Sequence, residues 1–116
     1  MSAVRGIAIR PDKSVGEVTI DGYKELSAIV RGYIEAVRLT DGSTMYVNEE
    51  FRLGQFGPED RNSIAGDVCG LAGRPDLMLL GILGPVVILG PIDAAGYDTD
   101  VTDRMRRVVR RVAREA

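Results

Sequence analysis

The sequence predicts an α+β fold: a mainly antiparallel sheet of about five or six strands, a short packed helix and a C-terminal basic amphipathic helix. Three observations carry this. Short runs of alternating apolar and polar residues, separated by Pro, Asp and Gly, recur through the first half of the chain. The stretch Leu77 to Ile92 is sixteen residues without a charge and is broken by Gly81, Gly84, Pro85, Gly90 and Pro91. That is shorter than the roughly 20 residues a membrane-spanning helix needs, so buried strand is expected and no membrane span. The last segment repeats Val and Met at helical spacing, with arginines between them. Residues 1–97 are expected to form the core and 98–116 a helix docked on it, a single domain of 116 residues.

Val4 to Arg10 puts Ile7 and Ile9 on one face of a strand, Pro11-Asp12-Lys13 supplies a turn, and Val15 to Ile20 alternates Val18 and Ile20 against Glu17 and Thr19. An opening hairpin is expected. Tyr23, Leu26, Ile29 and Val30 then recur at helical spacing, and Gly32 is the expected C′ residue, able to take positive φ and stop the helix.

The second hairpin is centred on Asp41-Gly42, read as a two-residue type I′ turn. In that register Thr40 faces Ser43, Val37 faces Tyr46 and Glu35 faces Asn48. One face then carries Tyr33, Glu35, Val37, Leu39, Thr44, Tyr46, Asn48 and Glu50. The other carries Ile34, Ala36, Arg38, Met45, Val47 and Glu49, and its apolar residues make it the face expected to be buried. Phe51 to Gly57 reads as irregular, anchored by Leu53 and Phe56. Pro58, Glu59 and Asp60 suit the first turn of a helix that Ile64, Ala65, Val68 and Cys69 continue. Gly73 to Asp76 is a loop. Leu77 to Leu83 and Val86 to Leu89 read as strand, because a continuous apolar run suits a central strand covered on both faces. After the loop Asp93 to Asp100, Thr99 or Asp100 is expected to cap the final helix, with Val101, Met105, Val108, Val109, Val112 and Ala113 on its apolar side.

Composition narrows the function. The formal net charge is -2, with nine basic and thirteen acidic groups in residues 1–97 and six arginines against four acids in 98–116. A general nucleic-acid binder would be far more basic. The chain has no histidine, which removes the usual general base and the usual activation of Ser or Cys nucleophiles. Its single cysteine, Cys69, allows no internal disulfide, and no Cys or His set can bind zinc. The start of the chain lacks a secretory pattern, and a cytoplasmic location is expected. No cofactor and no catalytic residue is implied.

The run Gly32-Tyr33-Ile34-Glu35-Ala36-Val37, then Tyr46-Val47-Asn48-Glu49-Glu50, Arg61-Asn62 and the Gly-flanked strand Gly84-Pro85-Val86-Val87-Ile88-Leu89-Gly90 resembles an uncharacterised domain-of-unknown-function family. That family occurs in bacteriophages and in actinobacterial and other bacterial mobile elements. The resemblance spans most of residues 4–90 and leaves the arginine-rich C-terminus outside. Family members often carry Gly where Phe51 stands, and Asn-Arg where this chain has Arg61-Asn62. What the resemblance implies is a setting: a small accessory protein acting in the host cytoplasm, with a role against host defence as one possibility. It supplies no functional residue.

Two surfaces are candidates. Tyr33, Glu35, Tyr46 and Asn48, with Glu50 at the edge, combine rings with a carboxylate and an amide and could hold a planar ligand. The plainer reading is an ordinary cross-strand pair on a solvated face. Glu49-Glu50 with Asp60 would suggest an acid pair for glycosidic or metal chemistry, but adjacent strand residues point to opposite faces, so Glu49 and Glu50 cannot act as a pair without a bulge. Arg104, Arg106, Arg107, Arg110, Arg111 and Arg114 could grip phosphates, an acidic partner or an anionic membrane surface, or simply form a solvated face that complements the helix dipole. The stripe Val101, Met105, Val108 and Val112 could seed a homodimer seam, although docking on the sheet is the expected use. The expected function is therefore non-enzymatic binding of a host protein or a small anionic ligand. The alternative is a nucleic-acid-associated regulator that contacts phosphates through the C-terminal arginines.

Overall fold

A computed structural model describes residues 3–50 and 56–116. Its elements are β1 (Val4–Ile9), β2 (Val15–Ile20), α1 (Tyr23–Val30), β3 (Ile34–Arg38), β4 (Thr44–Asn48), a 3-10 turn at Pro58–Asp60, α2 (Ser63–Leu71), α3 (Pro75–Leu80), β5 (Val86–Leu89) and α4 (Asp103–Glu115). The expected irregular stretch from Phe51, with Leu53 as an anchor, lies outside the described residues up to position 55.

The five strands form one sheet in the order β2-β1-β5-β4-β3, antiparallel throughout. Each hairpin leaves one edge unpaired, and β5 enters between them. Ile7 and Met45 both flank Ile88, and Ala8 and Tyr46 both flank Val87. Every residue of β5 is fully buried, which is why it carries no polar residue. Each such side chain contributes roughly 1.5–3 kcal/mol through its burial.

The pleat sends Val86 and Ile88 to one layer and Val87 and Leu89 to the other. The first layer is the larger. There Ile7, Ile9, Val37, Leu39, Met45 and Val47 meet α2 and the buried side of α4, Met105, Val109 and Val112. On the opposite side Ala8, Ile20, Tyr46 and Leu89 pack beneath α1 through Leu26. The fold is thus α+β, with helices on both sides of an antiparallel sheet. No helix among the described residues is long and apolar enough to cross a membrane.

Several expectations are corrected. The second hairpin has a three-residue loop, Thr40-Asp41-Gly42: Leu39 N–H donates to Ser43 O at 2.9 Å and Gly42 N–H to Leu39 O at 3.0 Å. Gly42 is left-handed, with φ 92°, while Asp41 is not, so a type I′ turn is excluded. Asp41 instead accepts from Ser43 N–H and Oγ–H and holds the loop open by one residue. The ladder accordingly pairs Val37 with Met45, Ala36 with Tyr46 and Glu35 with Val47. A one-residue slip regroups the faces: Val37, Leu39, Met45 and Val47 go to the larger layer, Ile34 and Tyr46 to the smaller. Both faces of β4 are buried, not one.

Leu77 to Leu80 lies in α3, not in a strand. Pro75 stands in its first turn, Asp76 follows, and Arg74 pairs with Asp76 at 3.0 Å. Only Leu77 is buried, whereas Leu79 is 82% exposed. A short apolar run does not by itself distinguish strand from helix. Pro58 opens only the 3-10 turn. α2 starts at Ser63 because the Asn62 carboxamide oxygen accepts from Ala65 N–H at 3.1 Å. The last helix is capped by Thr102, whose hydroxyl accepts from Met105 N–H at 3.1 Å. Thr99 donates instead to Pro91 O, and Asp100 accepts from Arg5 N–H at 2.8 Å. At the end of α1 the left-handed residue is Arg31, φ 65°. Gly32 serves close approach: a Cβ there would stand 2.6 Å from Asn48 Nδ2.

Candidate functional site

On the α1 side of the sheet, a pocket of about 260 Å³ opens between the first turns of α1 and the loop that follows β5. Its apolar walls come from Val4, Ile20, Leu26 and Ile34, and three of the chain's four tyrosines, Tyr23, Tyr46 and Tyr97, line it with Asp98. Each reaches the site for a local reason. Tyr23 is the first residue of α1, and Val4 and Ile20 are cross-strand partners. Tyr46 lies on the same side of the sheet because Asp41 and Gly42 set the hairpin register.

Tyr97 and Asp98 are held by a self-bonded loop. Asp93 Oδ1 accepts from the N–H groups of Ala95 and Tyr97, both at 2.9 Å, and Asp93 N–H donates to Tyr97 O at 2.9 Å. Gly90 N–H to Thr99 O, at 2.9 Å, closes its base. Tyr23 and Tyr97 stand at the mouth, 51% and 56% exposed, while Tyr46 is buried.

The polar centre is the Tyr46 phenol, which donates to Asp98 Oδ1 at 2.6 Å. Burial, followed by the adjacent carboxylate, pushes the Tyr46 phenol well above its ordinary range, and Arg38 opposes this weakly. The proton stays on Tyr46 and is committed to Asp98. Asp98 lines the pocket, and its Oδ2 takes no hydrogen bond from the described residues. No three acids or cysteines converge to hold a metal ion among the described residues.

The expected cluster of Tyr33, Glu35, Tyr46 and Asn48 is not assembled. Glu35 pairs with Val47, so it sits on the opposite face from Tyr46, and Tyr33 is 70% exposed outside the pocket. Asn48 is buried and fully engaged: Nδ2 donates to the carbonyls of Val30 and Arg31, both at 3.1 Å, and Oδ1 accepts from Glu50 N–H at 2.9 Å. It ties the end of α1 to the sheet. Asn62 does equivalent work, donating to Ile9 O at 3.0 Å and Gly84 O at 2.9 Å. Tyr23, Tyr97 and Asp98 were missed because loop and helix positions carry no strand-face pattern. The available signal was compositional: a lone tyrosine adjoins an acid in a loop of small and acidic residues.

The arginine face divides. Arg106 turns to β2, where the ladder puts Glu17 on the α4 side, and pairs with Glu17 and Asp103, both at 3.0 Å. Arg110 lies 3.5 Å from Glu17. Arg111 meets Glu115 loosely at 3.7 Å, and Arg104, Arg107 and Arg114 are exposed with no acid within 4.0 Å among the described residues. The apolar stripe is used mainly in the core, with Val101, Met105 and Val112 buried and Val108 partly buried against it. Cys69 is buried, contacts Met45 Sδ at 3.7 Å, and is pushed up to about 11 by burial.

No curated protein and no solved structure matches the chain. A family model described as Domain of unknown function (DUF3846) matches residues 4–113, a span that includes the pocket, its closing loop and almost all of α4, the helix that the sequence resemblance left outside. This chain therefore belongs to the DUF3846 family of domains of unknown function.

Proposed function

We propose that this protein is a non-enzymatic accessory module that binds a small ligand with a planar apolar body in the tyrosine pocket. The observation that carries the reading is the convergence of Tyr23, Tyr46 and Tyr97 on one concave, mainly aliphatic site with a single carboxylate. Binding rather than catalysis is supported by the walls, which hold no Ser, Thr, Cys, Lys or His and whose one carboxylate, Asp98, already accepts from Tyr46. The Tyr46 proton is already engaged. The sequence resemblance supports a phage or mobile-element setting, in which a host protein would be the larger partner.

The test is an amide-resolved NMR titration with 2-phenylethanol as a neutral aromatic probe. Shifts should concentrate at Tyr23, Leu26, Tyr46 and Tyr97, and Tyr97→Ala should weaken them. Shifts elsewhere, or unchanged affinity in Tyr97→Ala, would remove the pocket as the binding site.

A second reading concerns anions. Arg104, Arg107, Arg111 and Arg114 lie on the exposed arc of α4, which supports phosphate contact by this helix and not by the pocket. Reversing these four to Glu while leaving Arg106 and Arg110 in place tests it. Salt-sensitive binding to DNA or RNA should disappear; binding that persists excludes the helix as the contact.

A further inference from the structure

We infer that the pocket selects ligands joining an aromatic ring to a protonated amine, with the cationic nitrogen seated against Asp98. This deepens, and rests on, the pocket reading above.

The charge on the walls is one-signed. Asp98 is the only carboxylate among the residues lining the pocket, and no Lys or Arg lines it. Arg38 is the one cation that acts on Tyr46, and it is exposed and outside the lining. An ionised carboxylate only accepts hydrogen bonds. One oxygen of Asp98 is taken by the Tyr46 hydroxyl at 2.6 Å, and the other is left without a partner among the described residues. A ligand ammonium would give that solvent-accessible oxygen a donor and the opposite charge together, in a half-buried position where such a bond is roughly twice as strong as a neutral one.

The rings point the same way. The face of a tyrosine is the negative end of its quadrupole, so Tyr23 and Tyr97 at the mouth favour a cation and an edge-on or stacked ring. An anionic ligand would set its charge against Asp98 with no cation among the lining residues to neutralise it. The small-anion expectation raised from the sequence is therefore not suited to this pocket, although the arginine arc remains available to anions.

Size limits the class further. About 260 Å³ is below the range of roughly 300–1,000 Å³ typical of drug-sized sites, so a single-ring amine is a better fit than a nucleotide. The site is also prepared in advance. Asp93 already holds the backbone of Ala95 and Tyr97, so little loop ordering opposes binding.

The experiment compares three probes with similar ring-and-chain bodies: 2-phenylethylamine, 2-phenylethanol and 3-phenylpropanoate. They are titrated at low salt into the full chain and into Asp98→Asn and Tyr97→Ala, with amide shifts reporting where each binds. Asn at position 98 still accepts from the Tyr46 hydroxyl, so the fold and the phenol contact are kept. The amine should bind about tenfold or more tightly than the alcohol, and the acid most weakly. Asp98→Asn should bring the amine to the level of the alcohol without changing the alcohol. Tyr97→Ala should weaken all three. Equal affinity of amine and alcohol for the unmodified chain overturns the amine inference and leaves the pocket reading standing. Tightest binding by the acid overturns it in favour of an anion. If no probe shifts the pocket residues, both readings fall.

Discussion

Tyr46 and Asp98, fifty-two residues apart in the chain, are joined by a 2.6 Å hydrogen bond that fastens the loop after β5 to the sheet. It links two segments that share no local structure, and it fixes the polar centre of the pocket. Because Tyr46 is held protonated by burial and by Asp98, the bond also has a pH signature.

Tyr46→Phe should lower stability at neutral pH by about 1 kcal/mol, the usual net value of such a bond. The sign of the alkaline effect follows from linkage. The unfolded tyrosine releases its proton near 10.0, whereas the folded one retains it to higher pH. Its contribution is therefore complete below about pH 10 and is lost as pH rises from there toward the folded value. Urea titrations from about pH 8 to about pH 11, which take in the onset of that loss, should show a shallower alkaline decline in Tyr46→Phe. Identical slopes would mean that the phenol is not shifted.

Asn48 offers a contrast, since its groups are spent within the fold. Asn48→Ala strips partners from the carbonyls of Val30 and Arg31 and from Glu50 N–H. The expected cost is about 2–4 kcal/mol, measured by chemical denaturation. A change within about 0.5 kcal/mol would instead fit an exposed ligand-facing residue.

Neighbouring leucines report on α3. Leu79→Lys should leave stability within about 0.5 kcal/mol, because its side chain faces solvent. Leu77→Ala should cost about 2–4 kcal/mol, because it removes volume from the larger core. Strong destabilisation by Leu79→Lys would return this stretch to the buried strand read from its composition.

Acid stability has an identifiable contributor in Asp60. Backbone donation from Gly57, then the Arg31 guanidinium at 3.1 Å, hold its carboxyl below the usual carboxylate value. A depressed folded value contributes stability above the unfolded value near 3.9, and that stability is lost as pH falls through the folded value. Thermal melts below about pH 4 should therefore decline less steeply in Asp60→Asn. Parallel acid limbs in the two proteins would show that Asp60 is not the group responsible.

The elements that were legible in the sequence share one property: their signal is local. β1 and β2 alternate, β5 is a short wholly apolar run between Gly-Pro pairs, and α4 repeats its apolar residues at helical spacing. The errors arose where a local signal has two physical solutions. Asp-Gly suits a two-residue turn as well as the last two positions of a three-residue loop, and only the Asp41–Ser43 hydrogen bonds separate them. Leu77 to Leu80 is compatible with either strand or helix until Pro75 and the Arg74–Asp76 pair start a helix.

The candidate site was less legible than the fold, because it is built from residues that no periodicity connects. Of the expected ligand residues only Tyr46 lines the pocket, and its partners Tyr23, Tyr97 and Asp98 come from a helix start and a loop. The sequence by itself determined the α+β class, the family membership and the split between apolar and arginine faces of the last helix. Tertiary structure alone decided that β5 completes the sheet between two hairpins, that Asn48 is structural, and that three tyrosines meet one carboxylate. The reason is physical: periodicity records which way a side chain points from its own backbone, whereas a site depends on which distant segment packs opposite it.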